Sequence, residues 1–472
     1  MKFLLLEPKV KAIAPNLALM KWARWCENNS HEYRYVRGIV DLGTFEPDEI
    51  LMSCIFSFFS KRYEIEIDHY LQAYTRTKFT IGGVFPSINP EWFEKPKWGK
   101  FKTFGFLFGD THLNIHKGLH CDIDTLAPKY DLEIEWEDEK PPYPNDKIIL
   151  YSSRGCVNKC AYCAVPRLEP DHVSFKSIKY MLDATKKCSD QEDCKTCEYT
   201  DCFYHKSTGV FIYDNNFTEH KYSKDIVKEL VEFGKPVDFR QGLHVDAFTQ
   251  EHARQFKDLE WLGQGENGTA YIRFSFDKME YAEHIERALG YINEADRNRP
   301  DRSKLPEVFC YMLFNFNDSP DDFWKRIELA QGIVDRQKRS IFLFPMKYEP
   351  YDAEKRNTYT GKKWKTYDKN GKHNKWVKYL DGGIDSNGKP LRQILDEIEP
   401  SKAEFVLVKG LVKLITYVGH GFIPVTQSDN LYKWIGCTKE KLIQRAFRMA
   451  TDEEFNKNLK KYKLESVTKP GE

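Results

Sequence analysis

A chain of 472 residues is long enough for about two to four domains of ~100–200 residues each. Its 72 Lys and Arg face 71 Asp and Glu, a formal net charge of +1, which excludes a wholly basic nucleic-acid binder but leaves room for a local basic groove. With 41% hydrophobic and 14% aromatic residues, the chain is too apolar to be disordered. In chain order, Phe3-Leu4-Leu5-Leu6 predicts a short buried strand. Glu7 and Pro8 cut it off before it reaches the length of a secretory segment. A loop between Pro8 and Pro15 leads to Leu17, Met20, Trp22, Trp25 and Cys26, which have helical spacing up to Glu27. Strands are predicted at 33–36 and 50–55, a polar helix at 60–74, and a strand at 79–84 that ends in the Gly82-Gly83 turn. This alternation predicts a Rossmann-like parallel sheet over residues 1–140, with ligands beyond the carboxyl ends of the strands. The best apolar run, Ile50 to Phe59, is too short to span a bilayer. A soluble, cytoplasmic protein with no membrane partner is therefore expected.

The charged, proline-rich stretch from Asp138 to Pro144 reads as a linker. A second α/β alternation follows over 141–350. Its strands are predicted at 147–151, 210–213, 236–239, 271–276, 308–313 and 340–344, with helices at 225–233, 281–293 and 321–334 among the segments between them. Six units are too many for a small flavodoxin-like sheet and too few for a closed eightfold barrel, so a partial (β/α)6 barrel is expected. Residues 351–472 read as a mixed, mainly helical C-terminal extension. It opens with an irregular stretch, 355–389, and carries helices at 406–417 and 439–449.

Seven of the 12 cysteines fall between Cys156 and Cys202. In a long chain read as intracellular, that clustering argues for metal ligation over disulfides. The sharpest motif is Ser152-Ser153-Arg154-Gly155-Cys156-Val157-Asn158-Lys159-Cys160-Ala161-Tyr162-Cys163, directly after a predicted strand. Three thiolates this close can each take one iron of a cubane iron–sulfur cluster and leave the fourth iron open to a small chelating molecule. The plainer alternatives are three structural cysteines or three zinc ligands. Zinc structural sites, however, prefer four ligands in two close pairs.

Cys156, Cys160 and Cys163, with the aromatic Tyr162 before the last cysteine, resemble the signature of the radical S-adenosylmethionine (SAM) superfamily. Ser153-Arg154-Gly155-Cys156 with Cys163-Ala164-Val165-Pro166 is similar to the members that carry a cobalamin-binding-like domain before the barrel, and to the methylthiotransferases. The resemblance covers about residues 1 to 350. It implies a [4Fe-4S] cluster on the three cysteines, SAM as co-substrate, and an electron donor such as flavodoxin or ferredoxin. It implies an enzyme of transferase or oxidoreductase type that cleaves SAM reductively. Tyr162 would line the adenine site. Asp214, Asn215 and Asn216 would meet the SAM amine at the end of the second barrel strand, Gln241 would end the third, and Arg273 and Ser275 on the fourth would meet the SAM carboxylate or ribose. Methyl or methylthio transfer, or a cobalamin-assisted rearrangement, would suit this domain order.

Four further cysteines, Cys188, Cys194, Cys197 and Cys202, lie in an insertion over 188–205. Four sulfurs at that density can close a tetrahedral site for zinc or hold a second iron–sulfur cluster, and both remain open. The nearest match to a cobalamin ligand motif is Asp110-Thr111-His112-Leu113-Asn114-Ile115. It has isoleucine in the glycine place, so no cobalt ligand is assigned to His112. His112, His116, His120 and Cys121 read first as a polar loop, with a metal site as the alternative. Lys362-Lys363-Trp364-Lys365 and Lys375-Trp376-Val377-Lys378-Tyr379 interleave cations and rings. They could serve a nucleic-acid strand or simply be a solvated loop. The competing function class is a non-catalytic, zinc-stapled α/β protein that binds nucleic acid.

Overall fold

The computed structural model describes residues 1–10, 12, 14–94, 98, 113–138, 145–186, 201–263, 268–297, 306–314 and 320–347. The chain folds as two compact units: the first is Met1–Gln241 with Asp258–Gly268, and the second is Gly242–Lys257 with the chain from Thr269 on. His112, Cys188, Cys194, Cys197, the linker core and the C-terminal extension lie outside the described residues.

The first unit opens with a six-stranded sheet. Its strands are β1 (Lys2–Glu7), β2 (Glu32–Arg37), β3 (Glu49–Ser53), β4 (Lys78–Gly82), β5 (Leu113–Ile115) and β6 (Ile134–Trp136), in the order β5-β4-β3-β1-β2-β6. Every pairing is parallel. The continuous apolar run of β1 suits a central strand covered on both faces. Leu4 and Leu6 pack with Ile50, Met52, Phe79 and Ile81 against Tyr63, Ile67, Tyr70 and Leu71 of helix α2 (Ser60–Ala73). Phe3 and Leu5 turn the other way, against Leu19, Ala23 and Cys26 of helix α1 (Leu17–Asn28). Each of these leucines is fully buried, worth roughly 2 kcal/mol of transfer free energy. Asn16 caps α1, its side-chain oxygen accepting from the backbone N–H groups of Ala18 and Leu19. β5 and β6 are three residues each, too short to show a period.

At the carboxyl ends of β1 and β3, where the strand order reverses, the crevice is filled by the chain's own polar groups. The Glu7 carboxylate accepts from Tyr35 Oη at 2.5 Å, Asn16 N at 3.0 Å and Arg37 Nε at 3.1 Å. Asn16 Nδ2 donates to Ser53 Oγ at 3.0 Å. Glu7, Arg37, Asn16 and Ser53 are all buried.

Nearby, Glu66 on α2 is fully buried. Its Oε1 accepts from Lys9 N at 2.9 Å and Arg62 Nε at 2.5 Å. Its Oε2 has no hydrogen-bond partner among the described residues. Burial pushes this carboxyl up to about 7, against the pull of the Lys9 N–H and the Arg62 guanidinium. A carboxyl raised in the fold holds its proton where the unfolded chain has lost it. Each rise in pH from the ordinary 4.5 towards about 7 therefore costs stability. Glu66→Gln keeps the accepting oxygen and removes the buried charge. In urea unfolding at about pH 8 it should be the more stable protein by up to roughly 3 kcal/mol, and near pH 5 the gain should largely vanish. An equal effect at both pH values would contradict this account.

The same unit continues with β7 (Lys147–Leu150), a two-residue antiparallel hairpin of β8 (Ser153–Arg154) and β9 (Val173–Ser174), then β10 (Gly209–Ile212), helix α3 (Ser223–Phe233) and β11 (Val237–Phe239). β7, β10 and β11 form a parallel sheet in the order β11-β10-β7. Helix α3 buries Ile226, Val227, Leu230 and Phe233 and ends on Gly234, in the left-handed conformation at φ 72°.

The second unit holds helix α4 (Gln250–Lys257), β12 (Tyr271–Ser275), helix α5 (Tyr281–Asp296), β13 (Glu307–Phe314), helix α6 (Pro320–Gln337) and β14 (Ile341–Lys347). Its strands form a parallel sheet in the order β12-β13-β14. Val308, Cys310 and Met312 on β13 are fully buried, while Phe309 and Tyr311 alternate with them and are half-buried. The protein is thus mixed α/β with parallel sheets. No helix among the described residues is long and apolar enough to cross a membrane.

Candidate functional site

The cysteine triplet begins six residues after β7 ends, and the backbone leading into it is pinned by two buried carboxylates. Asp214, two residues past β10, accepts from Ser152 N at 2.6 Å, Ser152 Oγ at 2.5 Å and Ser153 Oγ at 2.7 Å. Glu169 accepts from Gly155 N at 2.6 Å, Asn215 Nδ2 at 2.9 Å and Arg154 Nη2 at 2.9 Å. Both acids are more than nine-tenths buried, as are Ser152, Ser153 and Arg154. Buried polar groups persist chiefly when bonded, and here the two carboxylates match the serine hydroxyls and the loop N–H groups. Gly155 sits at φ +72°, which an L side chain rarely adopts.

His220 adds a third tie. Its Nδ1 accepts from Tyr222 N at 3.0 Å, which leaves Nε2 to carry the proton and donate to Ser152 O at 2.7 Å. Burial lowers the pKa of this imidazole, in keeping with the neutral tautomer. Arg154 reaches the other way. Its Nε lies 3.3 Å from Asp124 Oδ1, and its guanidinium lies 4.0 Å from the centroid of the Tyr151 ring. Lys21 of α1 donates to the Asp124 carbonyl, and burial pulls its ammonium down to about 8. The loop is therefore tied through Asp124 to Lys21 of α1 by alternating charges.

The three cysteines themselves are half-buried, unlike the fully buried Cys26, Cys54 and Cys310. Burial pushes the Cys26 thiol up to about 12 and raises Cys54 and Cys310 as well, so these act as small hydrophobes. Cys156 Sγ accepts from Asn158 N at 3.4 Å and Asn216 Nδ2 at 3.5 Å. Cys163 N donates to Cys160 O at 3.0 Å in a tight turn, with Tyr162 half-buried between them. Among the described residues no three His, Cys, Asp or Glu side chains are gathered as ligands of a single metal ion. A cubane asks for a different arrangement, with each thiolate on its own iron.

Of the site residues read from sequence, Cys156, Cys160, Cys163, Tyr162, Asp214, Asn215, Asn216 and Gln241 belong to the first unit, whereas Arg273 and Ser275 belong to the second. Asn216 touches Cys156, and Asn215 reaches Glu169. Asp214 turns inward, both of its oxygens occupied by the serines before the first cysteine. Gln241 is exposed, Arg273 is buried and Ser275 is half-buried. Cys202 is buried just before a short helical turn, Phe203–Lys206, and its three predicted partners lie outside the described residues. His116 and His120 are close, their ring centroids 4.7 Å apart. Sequence reasoning missed Glu169 and His220, neither of which stands in a recognisable spacing, and it quoted Ser152 without seeing its bonds to Asp214.

No family model matches this chain, and no curated protein is significantly similar to it.

Proposed function

We propose that the chain is a radical SAM enzyme that holds a [4Fe-4S] cluster on Cys156, Cys160 and Cys163. The observation that carries this reading is the set of ties on the segment before the triplet. Asp214, Glu169 and His220 fix residues 152–155, and three soft, half-exposed sulfurs follow at once. Held by Cys156, Cys160 and Cys163, such a cluster would supply the electron for reductive cleavage of the SAM sulfonium. The chain's own part is positional. Asn216 and the Asn158 amide direct N–H groups at Cys156, and Asp214 holds the serines below it. Asn215 presents its amide beside the cysteine loop, where the SAM amine would sit. Tyr162, half-buried in the cysteine loop, is the residue that would line the adenine of SAM. In this reading the N-terminal sheet is a Rossmann-like domain, and the six later strands are those of a partial (β/α)6 barrel.

At the switch point of the N-terminal sheet Glu7, Asn16, Tyr35, Arg37 and Ser53 bond one another, and no cobalt ligand is assigned there. No step is therefore drawn through cobalt. The reaction is a SAM-dependent transfer or hydrogen abstraction on a substrate still to be named. The cysteines at 188–202 are assigned a structural zinc or a second cluster, and an electron donor such as flavodoxin or ferredoxin is required.

Anaerobic reconstitution with iron and sulfide, followed by iron, sulfide, zinc and cobalt analysis, tests the proposal. The parent protein should cleave SAM under a strong reductant, and Cys160→Ala should bind less iron and cleave none. Zinc without iron, or cleavage at parental rates in Cys160→Ala, would overturn it.

A further inference from the structure

One oxygen of Glu169 does two things at once. Oε2 accepts the Gly155 N–H at 2.6 Å and the Asn215 side-chain N–H at 2.9 Å, while Oε1 faces Arg154 Nη2 at 2.9 Å. A carboxylate only accepts hydrogen bonds. Asn215, an amide that could otherwise sit either way round, must therefore turn its NH₂ towards Glu169 and its carbonyl oxygen away from it. Asn215 is half-buried, and its side chain makes no other hydrogen bond among the described residues. Its carbonyl is left as an acceptor open to solvent or to a ligand, one residue from Asn216, whose own amide touches Cys156.

We infer that Glu169 is a positioning residue that sets the polarity of the Asn215 amide, so that the site accepts a hydrogen-bonding ammonium group beside the cysteine loop. This rests on the radical SAM reading and deepens it, because the cation concerned is the amine of SAM. Glu169 acts through Asn215 and through the loop amide of Gly155, and the Arg154 guanidinium keeps the carboxylate in place. Glutamine at 169 cannot reproduce the arrangement. Its single carbonyl goes to the charged Arg154 guanidinium, the stronger donor, which turns the NH₂ towards Gly155 and Asn215 and makes the Asn215 amide turn over.

The test compares SAM with its analogue lacking the α-amine, by equilibrium dialysis against the cluster-loaded protein. Iron content and hydrogen exchange at the Gly155 amide are measured alongside, the latter on the cluster-free protein. The parent should prefer SAM over the analogue by about tenfold or more, as expected for a charge-assisted bond. Glu169→Gln should keep its iron, exchange the Gly155 amide faster and lose most of that preference. A purely structural role would lower iron and leave the preference intact. If Glu169→Gln fails to fold or to bind iron, Asn215→Ala decides the matter, since it leaves the Glu169 contacts with Gly155 and Arg154 in place. It should lose the preference too. An iron-loaded Glu169→Gln with the full preference overturns the inference, and so does an Asn215→Ala that keeps it. A parent that binds both ligands equally also overturns it, while leaving the enzyme assignment standing. A parent that binds neither removes the assignment itself.

Discussion

Gly155→Ala should disrupt the cysteine loop and, with it, the iron uptake proposed for Cys156, Cys160 and Cys163. An alanine Cβ at Gly155 would lie 2.0 Å from the Asp171 carbonyl oxygen and 3.0 Å from that of Glu169, both backbone atoms that cannot swing aside. The left-handed conformation adds ~1–2 kcal/mol for any L residue. The strain falls on the residue joining the pinned segment to the first cysteine, so relief has to come from moving Cys156. Iron bound per chain should fall by about tenfold, and SAM cleavage with it. Gly43→Ala supplies the control. Gly43 is also left-handed, at φ +57°, but a Cβ there meets nothing within 4 Å. That variant should lose about 1 kcal/mol of stability and bind iron normally. Full iron in Gly155→Ala would show that the loop tolerates the displacement and that its geometry is not what the site requires.

The second large effect is expected at Asp214. Removing its carboxylate leaves the Ser152 N–H and the Ser152 and Ser153 hydroxyls buried without an acceptor. Urea unfolding of Asp214→Ala should show a loss of about 3 kcal/mol, since each stranded donor costs ~1–3 kcal/mol and the three are not additive. Asp214→Asn should lose less, about 1 kcal/mol. Its oxygen can still take the Ser152 N–H, and a serine hydroxyl can rotate to accept from the new NH₂. Iron uptake should follow the same order: parent, then asparagine, then alanine. If the alanine variant were as stable as the asparagine one, the serine contacts would not be what Asp214 is for.

Much of the framework is legible without coordinates. The four-residue apolar run at the start of the chain became the centre of a parallel sheet, because a strand covered on both faces must be apolar throughout. The helix expected from Leu17 forms from that residue, capped by Asn16. The six later strands lie within a residue or a few of their expected positions. Shorter pieces were not legible. The hairpin of β8 and β9 has two residues per strand, and helix α4 carries a polar sequence with only His252, Ala253 and Phe256 buried. Neither length nor composition supplies a period there.

The cysteine loop shows where local reading stops. Composition, strand and helix periodicity, and the presence of three closely spaced thiols are properties of neighbours along the chain, so the amino-acid order alone determines them. The groups that hold the loop are not neighbours. Gly155 finds Glu169 across 14 positions, Ser152 finds Asp214 across 62, and the Ser152 carbonyl finds His220 across 68. Hydrogen-bond partners separated that far leave no repeat in the sequence, because any buried acceptor of suitable reach would satisfy the same donor. The packing of β7 beside β10 brings Asp214 to the backbone before the first cysteine. It is this packing that occupies Asp214 with serines and leaves the Asn215 carbonyl without a partner among the described residues.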